Sequence, residues 1–219
     1  MNKLKFCFCG LLSFTAFAFA QNEEAVSSLQ EHPEARPFSV GLHVSAGYNA
    51  YWSDDNAKDF WGPAVSGGVT FLLPLMGVIS LNPELSLDFR TASQETTEPF
   101  GTQEYTVKET LTELGLDLPI LVRFHFNDAL FAELGPQVSM NISDEYTIDD
   151  GGDKYSTKNT ERSAFELATI VGVGYRIVPK FELDFRVVIG LNKVYDDDVI
   201  TGISPRTFQI LVGATYWVM

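Results

Sequence analysis

The chain has 219 residues, a formal net charge of −14 and two cysteines, Cys7 and Cys9. The excess of acidic residues argues against a nucleic-acid partner, because such binding requires clustered Lys and Arg. No segment after residue 20 approaches the roughly 18 unbroken apolar residues of a membrane-spanning helix, which excludes a helical membrane protein.

The first 20 residues have the features of a secretory signal peptide. Lys3 and Lys5 precede an apolar run, and Ala18-Phe19-Ala20 supplies the small residues that signal peptidase reads. We therefore predict a signal peptide at residues 1–20, cleaved after Ala20. A membrane anchor is less favoured, because the run is shorter than the roughly 20 residues that a spanning helix needs.

Cleavage changes what the mature chain contains. It removes both cysteines, which excludes disulfides and thiolate chemistry, and the loss of Lys3 and Lys5 takes the net charge from −14 to −16. Residues 21–37 are polar and contain two prolines, which predicts a flexible leader. The folded domain is predicted at residues 38–219.

The predicted folded domain alternates between apolar residues and small or polar ones. From Phe38 to Trp52 every second residue is apolar, and this period of two indicates a strand with two chemically different faces. The pattern recurs, without any helical period, in seven further segments: 61–75, 79–90, 113–126, 130–142, 164–177, 181–192 and 207–218. We predict eight antiparallel strands.

The connections between these strands alternate in length. The long ones are predicted at 53–59, 91–104, 143–162 and 193–205, and the short ones at 74–78, 127–128 and 178–180. Such alternation is typical of an up-and-down meander with tight turns at one end. Eight strands can close into a barrel, which removes the free sheet edges.

A period of two fits a water-soluble, lipocalin-like barrel as well as a transmembrane one. Three observations favour the membrane. Every lysine after residue 20 falls in a predicted connection or at a strand end, and most strands have the roughly 9 to 11 residues needed to cross the hydrocarbon. Aromatic residues of the apolar face also gather toward strand ends, as in interfacial girdles: Phe38, Trp52, Trp61, Phe89, Phe124, Phe126, Phe165, Tyr175, Phe181, Phe208 and Tyr216.

The apolar face is therefore predicted to contact lipid. The backbone then has to pair in a closed ring, because lipid offers no hydrogen bonds. Strand parity predicts the short turns and both termini in the periplasm and the four long loops outside the cell.

Two consecutive segments, LGLDLPILVRFHF (Leu114–Phe126) and FAELGPQVSM (Phe131–Met140), resemble the PorT-like outer-membrane beta-barrel family of Gram-negative bacteria. That family has a similar strand ending in aromatics, followed by a hairpin into an E-x-G sequence. The resemblance implies a small exported barrel, inserted by the outer-membrane assembly machinery and often without a defined activity. One departure is the C-terminus, where Met219 stands on the lumen parity and the outward aromatic common in such barrels is missing.

The small-residue face also carries charges, predicted to point into the lumen. They are Glu84, Asp88, Glu113, Asp117, Arg123, Glu133, Glu166, Arg176, Glu182, Asp184 and Arg186. Because buried charges have to pair, we predict a network of salt bridges and hydrogen bonds in which the three arginines pair with the acidic residues. An eight-stranded barrel is just wide enough for side chains to fill, which favours a filled lumen over a polar path for solutes.

Few residues suggest catalysis or metal binding. His43 and Ser45 share the lumen face, whereas His32 is in the leader and His125 near the periplasmic end, and no orienting group completes a triad. The acidic runs at 149–153 and 196–198 have carboxylates that suit calcium, but their spacing does not match an EF-hand and a solvated turn is the simpler interpretation. We predict no catalytic, cofactor-binding or metal-binding residue.

The sequence thus predicts an integral outer-membrane barrel with a structural or surface-interaction role. The alternatives left open are a narrow, porin-like channel, a soluble periplasmic lipid binder and, last, an enzyme. The predicted partners are outer-membrane lipids and the export and assembly machinery, with a monomeric barrel, no cofactor and an unidentified partner for the acidic loops.

Overall fold

The computed structural model describes residues 38–52, 60–100, 103–150, 154–158, 162–194 and 206–218. The predicted signal peptide, the predicted leader and the predicted loop at 53–59 lie outside the described residues. So do residues 151–153 of the acidic run at 149–153 and residues 195–205 of the predicted loop at 193–205, which include the acidic run at 196–198. Within the described part of the chain, no helix has the length and apolarity required to cross a bilayer.

The described residues form nine antiparallel strands in one sheet: β1 (Ser39–Trp52), β2 (Phe60–Met76), β3 (Ile79–Phe100), β4 (Gln103–His125), β5 (Leu130–Asp149), β6 (Lys154–Lys158), β7 (Phe165–Val178), β8 (Phe181–Gly190) and β9 (Arg206–Trp217). Apart from β6, each strand pairs with the next along the chain. β1 also pairs with β9, from Gly41 opposite Trp217 to Trp52 opposite Arg206, so the ring closes. The predicted eight-stranded up-and-down barrel is confirmed, and β6 adds a ninth strand that pairs with β5.

Three short turns lie at one end of the barrel, as predicted, and we call it the turn end. Between β2 and β3, Gly77 has a φ of +48°, a conformation that glycine adopts without a steric penalty. Between β4 and β5, the side-chain oxygen of Asn127 accepts hydrogen bonds from the backbone N–H groups of Ala129 (2.8 Å) and Leu130 (2.7 Å). Such a local side-chain acceptor fixes a tight turn.

At the opposite end, which we call the extended end, the prediction of two long loops is wrong, because strands occupy these segments. The prediction of a loop at 91–104 fails because β3 continues to Phe100 and β4 begins at Gln103. The predicted loop at 143–162 contains the end of β5 and all of β6. These segments lack apolar alternation, but they contain many β-branched threonines and their backbones pair in continuous register. We call this part of the sheet the extension: 91–100, 103–112, 143–149 and 154–158.

The barrel is apolar outside and polar inside. In β1, Val44 and Tyr48 are 58% and 62% exposed, whereas His43 and Ser45, on either side of Val44, are buried. The same alternation runs through every strand of the ring, so a continuous belt of Leu, Val, Ile and aromatic side chains faces outward. A water-soluble barrel would bury this set, so the structure favours the predicted lipid-facing arrangement over the lipocalin-like alternative.

Candidate functional site

The lumen is the largest concentration of ionisable groups in the described structure. Strand parity turns eight carboxylates inward: Glu84, Asp88, Glu113, Asp117, Glu133, Glu166, Glu182 and Asp184. Five guanidinium groups face them, those of Arg90, Arg123, Arg162, Arg176 and Arg186. All eleven lumen charges predicted from the sequence are therefore on the inner face, but the prediction of three arginines is incomplete.

The middle of the lumen is organised around Arg186 of β8. Its two terminal nitrogens donate to the two oxygens of Glu84, both at 2.8 Å, which is a bidentate pair. Its Nε lies 2.7 Å from Glu133 and 2.9 Å from Asp184. One buried cation is thus shared by three buried carboxylates that come from three different strands, and this ties β3, β5 and β8 together across the barrel.

His43 extends this middle cluster to β1. Its Nε2 lies 3.2 Å from Asp184 and its Nδ1 lies 3.8 Å from Glu84. The hydroxyl of Ser45 is engaged elsewhere, at 2.7 Å from the hydroxyl of Ser66. His43 therefore belongs to the ion-pair network of the lumen. The partner of the Ser45 hydroxyl is the hydroxyl of Ser66, and not a basic group such as His43.

A second cluster at the turn end surrounds Arg123 of β4. Arg123 donates to Glu133 (3.0 Å) and Glu182 (2.8 Å), and its guanidinium lies 4.1 Å from the ring centroid of Phe131. Glu182 also accepts from Arg176, at 2.9 and 2.7 Å. Because Glu133 contacts both Arg123 and Arg186, the turn-end and middle clusters form one connected network.

A third cluster lies toward the extended end. Arg90 donates to Glu113 and Glu166, each at 2.6 Å. Arg162 contacts the same two carboxylates at 3.1 and 3.5 Å, and the hydroxyl of Tyr51 donates to Glu113. Arg90 was detectable from the sequence, because it shares the inward parity of Asp88. Arg162 was not, because it precedes β7 in a segment without alternation.

Apolar side chains cover this third cluster on the extended end. Buried Tyr51, Phe60, Ala92, Leu111 and Val194 pack together, with Tyr146 against them. The Tyr146 hydroxyl donates to Glu109 at 2.6 Å, and burial together with this carboxylate raises the pKa of Tyr146 above its usual value. The lumen is thus capped by a small hydrophobic core that the extension helps to build.

The space left inside the network is small. A second apolar group crosses the lumen, formed by Ala64, Leu121, Ala168, Ile170, Val188 and Leu211. Beside it lies a cavity of about 20 Å³, bordered by Asp88, Asp117 and Gln209 as well as His43 and Arg186. A cavity of this size has room for about one water molecule.

Two glycines allow this close packing. A Cβ on Gly213 of β9 would lie 2.5 Å from an oxygen of Asp184 and 2.5 Å from Nε2 of His43. A Cβ on Gly174 of β7 would lie 2.1 Å from the ring of Phe131. Small residues on the inner face are therefore the complement of the large charged and aromatic ones opposite them.

The acidic run at 149–153 shows no cation-binding arrangement where it is described. Asp149 lies in β5, opposite Lys108 and Lys154 in the strand register. Among the described residues, no group of three or more His, Cys, Asp or Glu side chains is placed to hold a metal ion.

Comparison with known proteins is consistent with this architecture. A family model described as "Outer membrane protein beta-barrel domain" matches residues 19–196. No protein of curated function matches the sequence. Solved structures similar to this one include Neisserial surface protein A (14% identity, 83% of this chain and 99% of that chain, TM-score 0.47) and Ail, the attachment invasion locus protein of Yersinia pestis (13% identity, 82% and 99%, TM-score 0.42).

Proposed function

Because the chain belongs to the outer membrane protein beta-barrel domain family, we propose that it is a non-conducting integral outer-membrane protein. Its lumen is filled by the ion-pair network, and the surface that it offers to other molecules is the extended end. The role is structural or one of surface interaction, without catalysis. The motif at Leu114–Phe126 and Phe131–Met140 supports a place for the chain in the PorT-like branch of the family.

One observation carries the non-conducting assignment. Arg186 is held by carboxylates of three strands in the middle of the lumen, and the cavity beside it measures about 20 Å³. A hydrated ion or a small solute needs a continuous path wider than one water molecule. To open such a path, several buried charge pairs would have to separate at once, and each separation leaves uncompensated charge.

The orientation in the membrane is part of the same proposal. We place the turn end and both termini in the periplasm and the extension outside the cell, since short periplasmic turns and longer external segments are general in outer-membrane barrels. A Sec-exported, monomeric barrel that is inserted by the assembly machinery fits this arrangement. Protease added to intact cells should then cut at the extended end and leave an epitope at the C-terminus uncut.

Planar-bilayer recording tests the filled lumen. The purified, refolded protein is added to a bilayer under an applied potential, and folding is verified by a shift in gel mobility on boiling. We expect no discrete conductance steps from the folded barrel. Reproducible single-channel steps that scale with the fraction of folded protein would support the narrow-channel alternative and contradict the proposal.

A further inference from the structure

The outward face of the extension has a composition different from the rest of the outer surface. Below it, the outward face of β3 and β4 is apolar, ending with Phe89 and Leu114, which are paired. Two residues farther along each strand, the same face carries Thr91 and Thr112, also paired. The outer surface thus changes from hydrocarbon-like to hydroxyl-bearing within one step of about 7 Å along the strand.

Beyond that boundary, the outward side chains form rows across the four strands of the extension. One row contains hydroxyls only: Ser93, Thr110, Thr147 and Ser156, each opposite the next. Thr147 and Ser156 are joined by a hydrogen bond of 2.9 Å. Ser156 is exposed and the other three are half-buried, so these hydroxyls lie at the molecular surface.

The row above it is an alternating ladder of charge. Glu95, Lys108, Asp149 and Lys154 stand opposite one another in that order, and the Lys108 ammonium lies 3.6 Å from the Glu95 carboxylate. Opposite charges across neighbouring strands support the sheet. Two acidic and two basic residues also make this row electrically neutral, although the whole chain has a net charge of −14.

A bulge keeps β5 in this arrangement. The pairing of β5 with β4 shifts where Leu114 faces Ser143 and Gly115 faces Asn141, so Ile142 is the extra residue. Ile142 is exposed next to Ser143, after which Glu145 and Thr147 continue on the outward face. Because of the bulge, the polar face is continuous with the lipid-facing surface below it.

From this continuity and chemistry, we infer that the outward face of the extension binds the saccharide layer of outer-leaflet glycolipids. A face that continues the lipid-contacting surface outward lies beside the headgroups of the neighbouring lipids. Rows of hydroxyls and paired charges both donate and accept hydrogen bonds, as sugar hydroxyls do, and the neutral ladder avoids the repulsion that a net acidic surface would exert on phosphorylated sugars. The inference rests on the proposed orientation, in which the extension is outside the cell.

The test compares two neighbouring positions of β6 on opposite faces. Ser156→Cys reports on the outward face, and Thr157→Cys, which faces inward opposite Tyr146, is the matched control. Both native cysteines lie in the predicted signal peptide, so the chain from Gln21 onward carries only the introduced one. Each variant is folded into vesicles of phosphatidylcholine alone, with added lipid A, or with added lipopolysaccharide that carries its saccharide. The rate of reaction with a water-soluble maleimide is measured in all three.

We expect the reaction at Ser156→Cys to slow about fivefold or more in lipopolysaccharide, the factor that one net hydrogen bond supplies, and to be unchanged by lipid A. The rate at Thr157→Cys should be the same in all three. Adding Thr110→Val and Thr147→Val to the Ser156→Cys chain should restore the fast rate. Equal rates at Ser156→Cys in all vesicles, equal slowing at both positions, or protection by lipid A alone would each overturn the inference.

A failure of this inference is distinguishable from a failure of the proposed function. A barrel that shifts in gel mobility on boiling and is silent in bilayers, but has an unprotected Ser156→Cys, contradicts only the saccharide contact. A conducting barrel with a protected Ser156→Cys contradicts only the filled lumen.

Discussion

Replacing Arg186 with methionine removes the cation shared by Glu84, Glu133 and Asp184, and leaves these carboxylates buried without it. Glu133 retains Arg123, and Asp184 retains His43 at 3.2 Å. Glu84 loses a bidentate pair and keeps the longer 3.8 Å contact with His43, so Glu84 loses the most. Removal of one partner from a buried ion pair costs about 3–5 kcal/mol, and we expect the free energy of unfolding of Arg186→Met to fall by at least about 3 kcal/mol. For an m-value of about 2 kcal/mol/M, this lowers the urea midpoint by roughly 1.5 M or more.

Arg176→Met is the matched control. The Arg176 side chain is 22% exposed and contacts Glu182, which keeps its 2.8 Å contact with Arg123. We expect the free energy of unfolding of Arg176→Met to fall by about 1 kcal/mol or less, because the Arg176–Glu182 pair is partly solvated and Glu182 keeps Arg123 as its partner. Tryptophan fluorescence during urea unfolding in vesicles measures both variants. An unchanged midpoint for Arg186→Met, or a loss for Arg176→Met as large as that for Arg186→Met, would refute the assignment of Arg186 as the central cation.

Three further predictions concern other parts of the barrel. Gly213→Ala should lower the free energy of unfolding by about 1–3 kcal/mol, because the added Cβ would overlap the His43 and Asp184 side chains. Gly67→Ala is the control: its added Cβ would have its nearest contact at 3.7 Å, so this variant should unfold at the wild-type urea concentration. Tyr146→Phe should leave the ultraviolet titration of the tyrosines unchanged up to pH 11, because the raised pKa of Tyr146 keeps its hydroxyl protonated there. If the absorbance change below pH 11 were smaller in Tyr146→Phe than in the wild-type protein, Tyr146 would be ionising in that range and the prediction would be wrong. Val44→Lys should destabilise the barrel in vesicles by about 2–4 kcal/mol, and Thr110→Lys on the extension by about 1 kcal/mol or less. Equal costs would mean that Val44 does not face hydrocarbon.

The lipid-embedded part of the fold was predictable from the sequence because lipid imposes a strict rule on it. Each outward position has to be apolar, so a period of two marks β1 almost to the residue, at 38–52 predicted and Ser39–Trp52 observed. Beyond the boundary of the hydrocarbon, outward positions no longer have to be apolar. β3 continues for ten residues beyond Arg90, where Thr91 and Ser93 replace outward apolar residues, so the pattern vanished although the strand did not.

The lumen was predictable in composition but not in its pairing. Inward parity identifies the charged residues of the ring strands, and Arg90, which the prediction omitted, also has this parity. Which carboxylate meets which guanidinium depends on the stagger of the strands around the ring. Arg186 of β8 meets Glu84 of β3, which is 102 residues away in sequence. Arg162 also joins Glu113 from outside any ring strand, where parity gives no information. A closed ring of known register is needed before such contacts can be assigned.

The accessibility of consecutive positions along β1 tests the inside-out barrel most directly. Single cysteines at Val44, Ser45 and Ala46 are spin-labelled, and collisions are measured with oxygen dissolved in the bilayer and with a water-soluble nickel complex. Labels at Val44 and Ala46 should collide strongly with oxygen, and the label at Ser45 weakly with both reagents, since its side chain lies in the packed lumen. Strong nickel collisions at Ser45 would indicate a water-filled channel, and strong nickel collisions at Val44 and Ala46 would indicate that the apolar face is not in the membrane.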